Sequence, residues 1–99
     1  MLSKKELFNA KSSSSAIKPN MEIDVKNVGS YSDTDKDGNP VNVSVLVDVN
    51  GVVYSCISAT VFQSLDLLDD FIADDGHAVV RVKESTSNNG RKFYQLQII

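Results

Sequence analysis

A single cysteine, Cys56, stands among the 99 residues. No disulfide can form within the chain, and a reducing compartment suits it. Cys56 lies in the apolar run 52–57 and reads as a small buried hydrophobe. Tryptophan is absent, aromatics make up 7% of residues, and His77 is the one histidine. One His and one Cys cannot supply a zinc site of the usual ligand count. Ser55 and Ser58 make no nucleophilic triad with His77 at any defensible spacing. No glycine-rich phosphate loop is present. No apolar run approaches the roughly 18 residues that cross a bilayer. The lysines near the start lead into no apolar stretch, so a secretory signal is not expected. The pairs Asp69-Asp70 and Asp74-Asp75 read as solvated carboxylates at a helix end rather than an acid–base couple. Enzymatic activity, a cofactor, a metal and a membrane are all unexpected.

What remains is ordinary globular material, 41% hydrophobic and 23% charged, with a net charge of −3. A chain of this length forms one domain and buries only about 60–65% of the surface its unfolded form exposes. The acidic total hides a segregation of charge. Residues 1–20 carry four lysines against Glu6, and residues 76–99 carry four cations against Glu84. The middle, 21–75, holds two lysines against eleven acids. A local basic face is therefore compatible with an acidic protein.

Residues 1–20 contain the run Ser12-Ser13-Ser14-Ser15 and then Pro19. Four serines cannot pack a core, so this stretch reads as a flexible N-terminal arm, whose Leu7 and Phe8 could still dock on the domain. From residue 21 the pattern has period two, and 21–99 reads as the folded domain. Met21, Ile23 and Val25 alternate with polar residues, and Gly29 suits a bulge or bend. Val41, Val43, Val45, Val47 and Val49 form the strongest strand signal. Asn50-Gly51 then predicts a two-residue type I′ hairpin. That turn would set Val49 against Val52 and Val47 against Tyr54. Thr60 and Gln63 fit a capping box opening a helix. Val61, Leu65, Leu68 and Ile72 form its apolar stripe, and Gly76 ends it. Two more alternating strands follow, 77–83 and 93–99. Three strands, a helix and two strands is the order of the five-stranded OB barrel. The expected class is therefore all-β with one helix.

Barrels of this kind hold single-stranded nucleic acid with cations for phosphates and aromatic faces for bases. The candidate cations are Lys26, Arg81, Lys83, Arg91 and Lys92. The candidate stacking residues are Phe93, among Gln95 and Gln97, and Tyr31, in a polar loop context. Tyr54 is a further candidate, although its valine neighbours read it as core. The stretch Asp33-Thr34-Asp35-Lys36-Asp37-Gly38 begins like a calcium loop, but the twelfth place, which needs a glutamate, is Ser44. A polar turn is the better reading.

Three stretches resemble the single-stranded-DNA-binding proteins of phi-29-type phages. These are Asn50-Gly51-Val52-Val53-Tyr54-Ser55-Cys56-Ile57-Ser58-Ala59-Thr60 with the helix after it, Ser87 to Ile98, and Leu7-Phe8-Asn9-Ala10. The resemblance implies an abundant early protein in the host cytoplasm. It would coat displaced strands without sequence preference during protein-primed replication, protecting them from nucleases. Single-stranded DNA is the implied partner, possible phage replication proteins come second, and the implied state is a monomer or weak self-association on DNA. This chain is shorter in the first loop and has few aromatics, which shifts weight toward cooperative coating. The alternative is a small phage inhibitor, an anti-defence protein or DNA mimic that binds a protein through the acidic middle.

Overall fold

A computed structural model describes all of residues 1–99. The chain is mostly β, a six-stranded sheet curled into a half-barrel with two helices. Helix α1 spans Lys4–Ser13 and strand β1 is Ser15–Ala16. Strands β2 (Glu22–Thr34), β3 (Pro40–Asp48) and β4 (Val53–Cys56) follow. Helix α2 is Ala59–Asp75, and β5 (Ala78–Thr86) and β6 (Lys92–Ile98) complete the chain. The sheet order is β1-β4-β3-β2-β5-β6. The expected three strands, helix and two strands are thus all present. The strand count is six rather than five, and there are two helices rather than one.

The main core lies between α2 and the inner face of the sheet. The stripe Val61, Leu65, Leu68 and Ile72 is buried as its spacing requires. Leu65, Leu68 and Ile72 join one core cluster with Ile23, Val25, Val28, Leu46, Val80 and Val82. Each such side chain contributes roughly 1.5–3 kcal/mol on full burial. The helix starts earlier than the capping box predicted. Its N-cap is Ser58, with no side-chain cap bond. The Ser58 hydroxyl instead donates to the Tyr94 carbonyl at 2.9 Å, so it holds two elements together rather than closing a helix end.

Strand β2 pairs with β5 over Glu22–Val25 and with β3 from Val25 to Thr34. The register shifts between Val25 and Asn27, and this irregularity lets one strand serve both neighbours. The bulge predicted near Gly29 therefore falls earlier, and Gly29 has another task. A Cβ there would sit 3.0 Å from both the Leu2 Cβ and the Leu7 Cδ2. A side chain at this position would force Leu2 and Leu7 to shift.

In the structure, the segment read as an arm is packed against the sheet. The Leu2 N–H donates to the Val28 carbonyl at 2.8 Å. Ser3 and Glu6 form a reciprocal capping box that opens α1. Leu2 and Ala10 are buried with Val45 in a second, smaller cluster, with Leu7, Tyr31, Val47 and Val53 packed around it. The serine run finds polar partners within the chain, although Ser12, Ser13 and Ser15 stay exposed. The Ser12 and Ser13 hydroxyls donate to the Asn9 carbonyl. Ser14 meets Ser55 at 2.8 Å, where β1 joins β4 in parallel. Ile17 enters the main core. Strand β3 is accordingly buried on both faces: Val43 and Val45 on one, Ser44 and Leu46 on the other.

The Asn50-Gly51 turn also differs from the two-residue type. Asp48 and Val52 close it around three residues, and of the central pair only Gly51 has positive φ. Val47 therefore faces Val53, and Leu46 faces Tyr54. One residue of slip moves a side chain to the other face, so Tyr54 leaves the valine row and packs against the main core. The hairpins at Asp35–Asn39 and Ser87–Arg91 have the same build. In all three, the first N–H donates to the fifth carbonyl and the glycine N–H to the first carbonyl, at 2.8–3.0 Å. The shared sequence signal is Asp or Ser, two residues, then Gly, because Gly38, Gly51 and Gly90 all sit near φ +80°.

Candidate nucleic-acid interface

Strand alternation sorts the predicted site residues. On β5, Ala78, Val80 and Val82 face inward, which turns Arg81 and Lys83 outward. Cross-strand pairing sets Gln97 opposite Arg81, Gln95 opposite Lys83 and Phe93 opposite Ser85. Arg81, Lys83 and Phe93 therefore share the outer face, as their spacing predicted. Lys92 lies on the other side of β6, with Tyr94. Its Nζ is 3.9 Å from Glu84. The Arg81 guanidinium donates to Glu22 at 2.8 Å. Both pairs are exposed, and such pairs contribute about 0–1 kcal/mol, so phosphate can compete for either cation. Lys83 and Arg91 have no ion-pair partner.

The half-barrel leaves a seam between its two ends. A groove of about 620 Å³ fills it. One wall is Ala16, Ile17 and residues 55–60, and the other is Arg91, Lys92, Phe93 and Tyr94. A second groove of about 440 Å³, reaching Pro40 and Phe62, shares Ile57 and Ala59 with the first. Ile57 is 61% exposed between them. The sequence reading passed over it as the end of an apolar run. The groove thus has apolar surface on which a base can lie and two cations at one rim. The Ser58–Tyr94 hydrogen bond spans it.

Cys56 lines the same groove, and burial pushes its thiol above the ordinary range, against a smaller lowering by a backbone hydrogen bond from Ser58. A protonated thiol is a poor nucleophile, in keeping with a packing role.

The remaining candidates lie elsewhere. Tyr31 is on the β2 surface covered by α1, with the Lys11 Nζ 5.3 Å from its ring centre. Burial, and then the charge of Asp33, push its hydroxyl pKa up. Lys26 sits near the start of α1, where its charge helps hold the Glu6 carboxyl below its usual range, after the larger effect of the Ser3 hydrogen bonds. In the loop that resembled a calcium site, the Asp35 carboxylate accepts from the Asp37 and Asn39 N–H groups at 2.9 Å and so braces the turn. His77 meets Asp24 at 2.6 Å on the surface.

Sequence reasoning also missed the solvent face of α1. Phe8 is 74% exposed, with Lys4, Lys5 and Lys11 at the helical spacings that surround it. The signal was present as Lys-Lys-x-x-Phe-x-x-Lys, but the segment read as an arm.

A half-barrel whose seam is lined by aromatic side chains and cations has the make-up of a nucleic-acid-binding surface. The family profile described as "Phage Single-stranded DNA-binding protein", of the phi29 type, matches residues 2–99, and the chain belongs to that family. No curated protein and no solved structure matches it. The family supports single-stranded DNA as the ligand. No helix is long and apolar enough to cross a membrane.

Proposed function

We propose that this chain is an OB-type barrel that coats single-stranded DNA, without sequence preference, on strands displaced during phage replication in the host cytoplasm. The observation that carries this reading is the meeting of Arg91, Lys92 and Phe93 along one wall of the seam groove. Bases would lie against Phe93, Ile57 and Tyr94, and phosphates against Arg91, Lys92 and Lys83. Stacking contributes roughly 1–3 kcal/mol per base and works for any base. Arg81 would join once it exchanges Glu22 for phosphate. No bond is made or broken in this activity, and no cofactor enters it. Protection from nucleases follows from occupancy of the strand.

A fluorescent oligo(dT) titration in a salt series tests the proposal. Each phosphate contact on a single strand lowers the log–log salt slope by about 0.7. Three or four contacts give a slope near −2 to −3. Phe93→Ala should weaken binding about tenfold or more with little change in that slope. Absence of binding at low salt would sink the proposal.

A further inference from the structure

Two unpartnered apolar features stand on different parts of the molecule and carry opposite charge. The first is Phe8, at the centre of the solvent face of α1. Lys4 and Lys5 lie at i−4 and i−3 from it with no carboxylate within ion-pair distance, while Lys11, at i+3, rests its Nζ 5.3 Å from the Tyr31 ring centre. The second is a groove of about 270 Å³ between α2 and β6, floored by Leu68, Val80 and Leu96 and rimmed by Leu67, Phe71 and Ile98. Leu67 is 76% exposed. Asp70 and Asp74 follow Leu67 at i+3 and i+7, on the same side of α2, and neither is paired. Helix α2 contains five aspartates and no Lys or Arg.

We propose that Phe8 of one copy seats in the α2–β6 groove of the next, with the α1 lysines against Asp70 and Asp74. Phe8 does not line its own molecule's groove, and α1 packs instead against β2 and β4. The contact therefore joins two different surfaces. Such a head-to-tail contact repeats along a row of molecules rather than closing a symmetric pair. A DNA strand at Phe8 would satisfy the lysines but leave Leu67, Phe71 and Ile98 in water, and the aspartates repel DNA from that groove. Docking between copies covers both apolar features and pairs both sets of charges. It also gives the protein a route to cooperative coating that needs no further aromatic residue.

Sedimentation velocity without DNA, at low ionic strength, tests the contact independently of the DNA-binding reading. The intact protein should form concentration-dependent chains that shorten as salt is raised. Phe8→Ala and Leu67→Glu each alter an exposed side chain, and each should weaken self-association by about tenfold or more. Mixed together, each variant keeps the surface the other lacks, so the mixture should form 1:1 dimers and stop there. Three results would overturn the proposal. One is an intact protein that stays monomeric throughout. Another is loss of association in Leu67→Glu with none in Phe8→Ala, which indicates a symmetric α2 pair. The third is unchanged association in Phe8→Ala together with weaker binding of an oligo(dT) one site long, which assigns Phe8 to DNA.

Discussion

The Ser58 hydroxyl donates to the Tyr94 carbonyl across 2.9 Å, and that single bond ties the start of α2 to β6. The two residues are 36 positions apart and stand on opposite walls of the seam groove. Removing the hydroxyl should let the walls part. Ser58→Ala is expected to cost about 1–2 kcal/mol of stability, a fall in Tm of several degrees, and to weaken oligo(dT) binding as well. Thermal unfolding and a DNA titration check the two effects separately. An unchanged affinity would mean that the groove width has no bearing on DNA.

Gly29 sets the seat of α1. An added methyl would sit 3.0 Å from Leu2 and from Leu7, so these side chains must move by a few tenths of an ångström. Gly29→Ala is expected to cost about 1–3 kcal/mol, the usual range for overpacking. Hydrogen exchange should quicken in α1 and at the Leu2 amide while the β5–β6 ladder keeps its protection.

The Ser3–Glu6 capping box makes α1 sensitive to acid. Hydrogen bonds from Ser3 hold the folded Glu6 carboxyl below its ordinary pKa of 4.5. The unfolded chain therefore takes up a proton at a higher pH than the folded one. The stabilisation is complete above the unfolded value and fades as pH falls through the folded one. Glu6→Gln should flatten this acid dependence of α1 protection while leaving the neutral-pH fold intact. Amide exchange measured against pH follows it.

Burial pushes the pKa of the Cys56 thiol up, which lowers its thiolate fraction. Alkylation should run slower than for a small free thiol. Saturating oligo(dT) should slow it further, because Cys56 lines the groove. Mass spectrometry of timed samples reads both rates, and equal rates with and without DNA would place the strand outside the groove.

The β-strands and α2 were legible because their residues repeat at the period of the element. Val61, Leu65, Leu68 and Ile72 are buried in the order their spacing requires. The face shared by Arg81, Lys83 and Phe93 followed from the same alternation. Helix α1 was not legible from periodicity, since Leu7 and Ala10 are its only inward apolar residues and the serine run dominates the local composition. Its existence depends on the second face of β3, which no local pattern reveals. The placement of Tyr54 failed for a smaller reason: the hairpin closes around three residues instead of two, and the slip exchanges faces. The groove itself unites residues 55–60 with 91–94, a pairing set by how far the barrel closes.

The most direct test is an NMR titration of the labelled protein with oligo(dT), following backbone amides. The expected shifts fall on residues 55–60 and 91–94, on both walls of the seam, with smaller ones at Lys83 and Arg81. Arg91→Glu should reduce them at equal DNA concentration while the spectrum stays that of a folded chain. Shifts confined to α1 or to the acidic side of α2, with the seam unmoved, would contradict the placement of the strand in the groove.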